Sequence, residues 1–386
     1  MLSTPEPACL VIADISGYTS YLAGAELDHA QDILADLMTT VVGALRPNFR
    51  LAKLEGDAAF AYMLADRIDG SQLLDTVERI YFAFRRRLRD IAQATACECN
   101  ACELMPRLDL KVVAHHGSVI RHRIAGHEEL VGSDVIVAHR MLKNHVVERL
   151  GTNAYALFSA ACVEAMDVDP VALGMTEYRE AYDDVGEMTG WVHDLGAAWA
   201  AELEGRRVVV ADRDAGYILE TIQPAPRDVV WSFMTDPALR PRWQAGVTGV
   251  DQLPTAPRRG VGTTNHCMHG KDVMVEEILD WRPGEHVTHR TTMPNGFKAV
   301  STFAFEDAPE GTRVRLLFTW GRNRREREEH ASVRDVIAPL VETGQSNLRE
   351  VLTEEMARRS AEEAEAPPEP DAPASRGREI LEPIQR

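Results

Sequence analysis

The amino-acid sequence predicts an α+β protein with two folded domains. The chain has 386 residues, more than the roughly 250–300 at which a single hydrophobic core stops growing. Strand and helix patterns alternate in the first half, whereas the second half has a series of strand patterns followed by one long helical pattern. We therefore divide the chain into a first domain (1–205), a second domain (206–360) and a tail (361–386).

The elements of the first domain follow from its apolar pattern. Residues 9–15 are a short continuous apolar run, typical of a strand covered on both faces. Apolar residues at three-to-four spacing predict helices over residues 33–45 and 73–91, and residues 51–63 predict a hairpin around a Gly-Asp turn. Residues 108–116 predict a further strand, and residues 135–147 have helical spacing. This order favours helices packed on a central sheet.

The pattern changes near residue 206. A strand is predicted over residues 217–222 and a short helix, with proline in its first turn, over residues 226–234. Five more strands are predicted, over residues 263–268, 273–281, 286–292, 299–306 and 312–320. An apolar stripe over residues 333–352 predicts a long helix, which a curved antiparallel sheet would bury. The tail is rich in Glu, Pro and Ala, and we expect it to be disordered.

Composition excludes several classes of function. The net charge is −18, and most of the acidic excess falls within residues 1–205, which disfavours nucleic acid as a partner. No apolar run approaches the length of a membrane span. Six cysteines without an export signal favour a reducing compartment over a disulfide framework. We expect a cytoplasmic protein.

Three motifs carry chemistry in the first domain. The segment DISGYT begins at Asp14, KLEGD ends at Asp57, and GSDVIVAHR begins at Gly132. Carboxylates at the ends of adjacent strands can hold two hard cations that clamp a triphosphate. We expect the Asp14 and Asp57 carboxylates to lie within about 6 Å of each other, because both must bridge one two-metal site.

In this order the motifs resemble those of class III nucleotidyl cyclases, and the resemblance implies a ferredoxin-like sandwich. It further implies that Asp14, the Ile15 carbonyl and Asp57 bind two Mg²⁺ or Mn²⁺ ions. Lys53 and Glu129 would read the base of ATP, and Arg140 would stabilise charge on the transferring phosphate. In that family these groups come from opposite protomers, which implies a homodimer.

One position departs from the cyclase pattern. The asparagine that orients the ribose is replaced by Ile136, which can neither donate nor accept a hydrogen bond. Misplacing the attacking oxygen by an ångström can cost about a hundredfold in rate. The first domain also resembles a bacterial family of uncharacterised cyclase-related proteins, in its cysteine insert and its LKVVAHHG strand.

Half of the cysteines lie in one short segment, at Cys97, Cys99 and Cys102. Closely spaced thiolates can bind zinc or an iron–sulfur cluster, both of which usually take four ligands. A fourth ligand would come from His115, His116, Asp109 or a partner chain. A redox-sensitive thiol group and inert packing remain as alternatives. His115 and His116 lie on opposite faces of one strand, so at most one of them faces this segment.

The second domain resembles START-like (SRPBCC) domains, which include polyketide cyclase/dehydrase relatives. The resemblance rests on PRDVVWSFMTDP, which begins at Pro226, on the WRPGE turn and on the long terminal helix. It implies a helix-grip fold that encloses an apolar cavity for a hydrophobic small molecule. Candidate lining residues, for which plain core packing is the alternative, are His266, Met268, His289, Phe303, Phe305 and Trp320.

Three functions follow from these observations. The first is a cyclase that makes cyclic AMP, with the START-like domain as its ligand sensor. The second is a non-catalytic regulator that binds nucleotide or metal. In the third, the START-like domain carries the main binding or enzymatic activity, and the first domain regulates it.

Overall fold

The structure, a computed structural model, describes residues 4–46, 48–94, 99–124, 127–205, 207–253, 258–321, 323–329 and 331–365. These residues form two compact units, unit 1 up to residue 204 and unit 2 from residue 205. The predicted α+β fold with two domains is confirmed. No helix within the described ranges combines the length and apolar character needed to cross a membrane.

Unit 1 is built on a mixed sheet. Its strands are β1 (Glu6–Ser16), β2 (Arg50–Glu55), β3 (Ala58–Leu64), β4 (Asp109–Ile124), β5 (His127–Val131), β6 (Tyr155–Ser159), β7 (Thr176–Tyr182) and β8 (Gly186–Asp194). Their order across the sheet is β2-β3-β1-β4-β6-β8-β7, and β5 pairs with β4.

Helices cover both faces of this sheet. They are α1 (Tyr18–Gly24), α2 (Leu27–Leu45), α3 (Gly70–Ala94), α4 (Asn100–Leu104), α5 (Ser133–Met141), α6 (Val146–Leu150), α7 (Ala160–Met166) and α8 (Leu195–Glu204). The chain order β1-α2-β2-β3-α3-β4 with the spatial order β2-β3-β1-β4 is the ferredoxin-like arrangement. The predicted sandwich is therefore confirmed.

The central strand β1 explains the continuous apolar run at the start of the chain. Cys9 and Val11 point into a core shared with α2 and α3. Leu10 and Ile12 point into a second core on the opposite face, shared with α5 and α6. A strand buried on both faces has no polar alternation.

Unit 2 is an antiparallel sheet with one long helix. Its strands, β9 (Tyr217–Gln223), β10 (Gly249–Leu253), β11 (Thr264–His269), β12 (Asp272–Arg282), β13 (His286–Thr292), β14 (Lys298–Ala308) and β15 (Gly311–Thr319), lie in the order β10-β11-β12-β13-β14-β15-β9. The helices are α9 (Arg227–Thr235), α10 (Arg324–Glu329) and α11 (Ser332–Glu365). Side chains from the sheet, α9 and α11 form one core, as the predicted helix-grip fold requires.

Two predicted elements differ from the structure. The helical pattern over residues 135–147 is broken, because the Asn144 side chain donates to the Met141 carbonyl at the end of α5 and accepts from the Val146 N–H at the start of α6. The tail predicted from residue 361 begins inside α11, which continues to Glu365. Residues 361–365 are Ala and Glu, both good helix formers. Residues 366–386 lie outside the described part of the chain.

Candidate functional site

Asp14 and Asp57 lie beside each other at one end of β1. Asp14 is opposite Ala58, the first residue of β3, and Asp57 immediately precedes that residue in the β2–β3 turn. The turn has two residues, and Gly56 supplies its positive φ of 68°. The Ile15 N–H donates to the Asp57 carbonyl at 3.0 Å, which fixes the turn against the strand.

The Asp14 and Asp57 carboxylates lie close enough for their negative charges to repel each other. Burial, and then the negative charge of Asp14, raise the pKa of the Asp57 carboxyl. Two neighbouring carboxylates are a donor set that fits a hard divalent cation, and the Ile15 carbonyl as a further ligand stays a prediction. Binding such a cation would remove the repulsion between the two carboxylates.

Lys111 is a residue of this site that sequence reasoning missed. It lies directly opposite Asp14 on the other neighbouring strand, β4, and its Nζ is 3.0 Å from Asp14 Oδ2. The ammonium therefore neutralises one of the two carboxylates. The signal in the sequence is a lysine that directly precedes the apolar run Val112–Ala114 in the first half of β4.

The same sheet face carries part of the predicted nucleotide-reading set. Glu55, Ala58, Asp14 and Lys111 form one row across β2, β3, β1 and β4. Lys53 lies opposite Phe60 on β3, in the next row of residues on this same face. Strand pairing thus brings Lys53 to the face that holds Asp14.

Lys53 is linked to α5 through Glu55. The Lys53 Nζ is 3.3 Å from one Glu55 oxygen, and His139 Nε2 is 3.0 Å from the other. The His139 ring also packs edge-on against Phe60, with 4.9 Å between ring centroids. His139 was not predicted as a site residue, because nothing in its local spacing pairs it with Glu55.

The remaining predicted residues of unit 1 have separate surroundings. Arg140 Nη2 donates to Asp184 Oδ2 at 3.0 Å. Glu129 is on β5, opposite His122 of β4. Ile136, on α5, is 56% exposed, so the position faces solvent rather than the core.

The cysteine segment lies against the start of α2. Cys99 and Cys102 form a cluster with His29, in which one ligand atom from each residue lies within 4.8 Å of the others. Cys97 falls outside the described residues, and its role as a metal ligand stays a prediction. His29 was missed because 70 residues separate it from Cys99, so no local motif includes it.

The sequence offered His115, His116 and Asp109 as a fourth metal ligand beside the cysteines. Each of these side chains has a hydrogen-bond partner elsewhere. His116 Nε2 lies 2.9 Å from the Ala65 carbonyl. Asp109 accepts from the Leu110 N–H at 2.9 Å. His115 lies in a hydrogen-bonded chain described next.

Ser159, His115 and Asp134 form a chain that has the composition of a catalytic triad. His115 Nδ1 is 2.8 Å from Ser159 Oγ, and its Nε2 is 3.1 Å from Asp134 Oδ1. Ser159 is 1% exposed and caps α7 by accepting from the Cys162 N–H. Burial also lowers the pKa of His115. A serine without solvent access that caps a helix is a structural group, not a nucleophile.

In unit 2, the predicted pocket residues divide between the two faces of the sheet. His289 and Phe303 contact each other edge-on at 5.4 Å, and Phe305 packs on Trp231 at 5.3 Å. These residues and Trp320 belong to the helix-facing side.

His266 and Met268 do not lie with that set. They alternate along β11 with the buried Asn265 and Cys267, and successive side chains of a strand point to opposite faces. The helix-facing side of β11 is that of Cys267, whose thiol neighbours Glu276. His266 and Met268 are therefore on the outer face.

A buried ion pair on the helix-facing side was not predicted. Arg240 Nη1 and Nη2 donate to the two Glu276 oxygens at 2.7 and 3.0 Å. Burial alone would raise the pKa of Glu276, but the Arg240 and His289 charges and the hydrogen bonds from Arg240 and Cys267 together lower that pKa to about 2. Burial lowers the pKa of the neighbouring His289 to about 4, so its ring is neutral at pH 7.

Two family profiles match different parts of the chain. The family described as "Polyketide cyclase / dehydrase and lipid transport" matches residues 220–353, within unit 2. The family described as "Protein of unknown function (DUF2652)" matches residues 34–149, within unit 1.

Over 163 residues the chain is 33% identical to the uncharacterised protein Rv2561/Rv2562 of Mycobacterium tuberculosis (strain ATCC 25618 / H37Rv). The alignment covers 42% of this chain and 73% of that protein. The chain therefore belongs to the same family as Rv2561/Rv2562.

Solved structures are similar to parts of the chain. The guanylyl cyclase Cya2 has a TM-score of 0.40 and 14% identity, over 50% of this chain and 93% of that one. Protein MLL2253 from Mesorhizobium loti has a TM-score of 0.29 and 19% identity, over 36% of this chain and 96% of that one.

Proposed function

We propose that unit 1 binds a nucleoside triphosphate through divalent cations on Asp14 and Asp57 and converts ATP to cyclic AMP. The observation that carries this proposal is the pairing of the two carboxylates at the end of β1. Mg²⁺ or Mn²⁺ bound there would neutralise the triphosphate and activate the attacking 3′-oxygen.

The chain's own residues have distinct tasks in this proposal. Asp14 and Asp57 hold the cations, and Lys111 limits their repulsion when no cation is bound. Lys53 and Arg140 pair with Glu55 and Asp184. Exposed pairs of this kind contribute only about 0–1 kcal/mol, so the Lys53 and Arg140 side chains can exchange these carboxylate partners for a nucleotide at little cost.

A homodimer belongs to the same proposal. The cyclase resemblance assigns the metal carboxylates to one protomer and Lys53, Glu129 and Arg140 to its partner. A dilution series of the full chain in analytical ultracentrifugation, with and without nucleotide, measures whether the dimer forms.

Ile136 explains why we expect slow turnover. Its side chain offers no hydrogen bond to a ribose. Because the position is 56% exposed, the substitution Ile136→Asn would place an amide in water without burying an unpaired polar group. It therefore tests catalysis without a folding penalty.

The experiment is a turnover assay on the full chain with ATP or GTP and Mn²⁺. We expect cyclic AMP from the wild type, more from Ile136→Asn, and at least about a hundredfold less from Asp14→Asn and Asp57→Asn, because charge stabilisation supplies most of the acceleration. Asp32→Asn, an exposed aspartate on α2, is the matched control and should leave the rate unchanged. Nucleotide binding without product from either the wild type or Ile136→Asn would refute catalysis and leave a non-catalytic regulator.

A second candidate function concerns unit 2. Its match to a family that includes lipid transport, together with the aromatic set around His289 and Phe303, supports binding of a hydrophobic small molecule that regulates unit 1. Titration of the full chain with 1-aminoanthracene, with and without competing palmitate, tests this proposal. Saturable binding that Phe303→Asp weakens would support it, and non-saturable binding would contradict it.

A further inference from the structure

Outside the paired carboxylates, unit 1 contains a second cluster of metal-ligating side chains. We propose that His29, Cys99 and Cys102 bind a structural Zn²⁺ ion that joins the start of α2 to the cysteine segment. The two thiols would each release a proton to solvent on binding. This site is independent of the proposed cyclase function.

The distances among the three side chains match those of a tetrahedral zinc site. His29 Nδ1 is 3.1 Å from Cys99 Sγ and 3.8 Å from Cys102 Sγ. With Zn–S near 2.3 Å and Zn–N near 2.0–2.1 Å, tetrahedral geometry separates sulfur and nitrogen ligands by about 3.6 Å. The two observed distances lie on either side of that value. Nε2 is 3.9 Å from Cys102 Sγ, so Nδ1, which is also 3.1 Å from Cys99 Sγ, is the ring atom we assign as ligand.

The backbone around the ligands is already held in place. Glu26, three residues before His29, accepts hydrogen bonds from the Asn100 and Ala101 N–H groups at 3.3 and 3.0 Å. The Cys99 carbonyl accepts from the Cys102 N–H at 3.1 Å, which sets the relative position of the two thiols. These bonds fix the cysteine segment on the same side as His29 before any metal binds.

Tyr21 is a second, independent observation that points to a ligand. Its hydroxyl is buried and has no hydrogen-bond partner among the described residues. The charges of Cys102 and Cys99 act on that hydroxyl, which places it near both sulfurs. A zinc-bound thiolate is an acceptor for such a donor, and donors that hydrogen-bond to metal ligands in this way fix the orientation of those ligands.

The ligand chemistry selects zinc over an iron–sulfur cluster. A combination of thiolates and one imidazole is typical of zinc sites, whereas most clusters are held by four cysteines. The main alternative is a redox pair formed by the two thiols alone, in which His29 would have no role.

The test uses the full chain, purified with a phosphine reductant, stripped with a chelator and titrated anaerobically with Co²⁺. We expect saturable binding with tetrahedral d–d bands and a sulfur-to-cobalt charge-transfer band, and displacement by Zn²⁺. Because carboxylates cannot produce that charge-transfer band, the Asp14 and Asp57 site does not interfere. The Asp14→Asn protein should therefore give the same spectrum.

The variants separate a ligand role for His29 from a packing role. His29→Ala should lower metal affinity at least tenfold, while His29→Cys should retain binding and increase the charge-transfer intensity, since it adds a thiolate. His266→Ala, a partly exposed histidine in unit 2, is the matched control and should bind like the wild type. Lack of saturable Co²⁺ or Zn²⁺ binding by the reduced wild type, or an unchanged affinity in His29→Ala, would overturn the proposal.

Discussion

The buried Arg240–Glu276 pair gives the most quantitative prediction for stability. Arg240 is 3% and Glu276 7% exposed, and two hydrogen bonds join them. Glu276→Ala would leave the guanidinium buried with neutral partners, Gln244 Oε1 at 2.8 Å and the Cys267 thiol. Breaking a buried pair from one side costs about 3–5 kcal/mol. At about 2 kcal/mol per molar of urea, the midpoint of the unit 2 transition should fall by roughly 1.5–2.5 M.

Urea unfolding of the full chain, followed by tryptophan fluorescence, measures this change. Unit 2 contains four of the six tryptophans, Trp231, Trp243, Trp281 and Trp320, so the signal reports mainly on that unit. The matched control is Glu277→Ala on the same strand. Glu277 also pairs with an arginine, Arg290 at 2.7 Å, but that pair is exposed and should contribute at most about 1 kcal/mol.

A double substitution distinguishes an unpaired charge from a packing defect. Arg240→Met combined with Glu276→Leu removes both charges and keeps the volume, so it should recover most of the stability lost in Glu276→Ala. Equal losses of stability in Glu276→Ala and Glu277→Ala would contradict a cost for leaving Arg240 buried without its partner. The same holds if the double variant loses as much stability as Arg240→Met alone and Glu276→Leu alone added together.

Three further predictions concern titration, metal release and cation affinity. Burial lowers the pKa of His289 from 6.5 to about 4 on folding, so the folded protein keeps its full stability above pH 6.5 and loses stability as the pH falls toward 4. The unfolding free energy should drop by up to about 3 kcal/mol over this range. His289→Gln should abolish this dependence of the unfolding free energy on pH. Tyr21→Phe should speed zinc transfer to a chelator and weaken affinity by about 10–100-fold, because the thiolates lose a donor, and unchanged transfer would contradict this role. Lys111→Met should tighten Mn²⁺ binding about tenfold in calorimetry, because it removes a competing positive charge from Asp14, and weaker binding would contradict it.

Much of the fold was predictable because its strands and helices have clear periodicity. The buried run in β1, the stripe on α2 and the stripe on α11 each follow from one pattern. The strands β5 to β8 were not predicted, since their patterns are short and mixed. The break between α5 and α6 depends on the Asn144 side-chain bonds, which a periodicity argument does not include.

The candidate sites were predictable only where a motif is local. Asp14 and Asp57 could be paired because each lies in a motif of the cyclase resemblance, although the strands β1 and β3 that bring them together are not consecutive in the chain. Lys111 and His29 depend on contacts between distant segments, β1 with β4 and α2 with the cysteine segment. Glu276 was predictable as an inward charge, because it alternates with Ile278 along β12, but its partner Arg240 was not.

Manganese binding at the paired carboxylates is the direct test of a two-metal site at Asp14 and Asp57. Electron paramagnetic resonance of the full chain, titrated with Mn²⁺ in the presence of a non-hydrolysable ATP analogue, measures how many ions bind and whether they interact. We expect two magnetically coupled Mn²⁺ ions per nucleotide site, and their loss in Asp57→Asn. Mn²⁺ that binds equally well to the wild type and Asp57→Asn, or that stays in solution with both, would contradict this expectation.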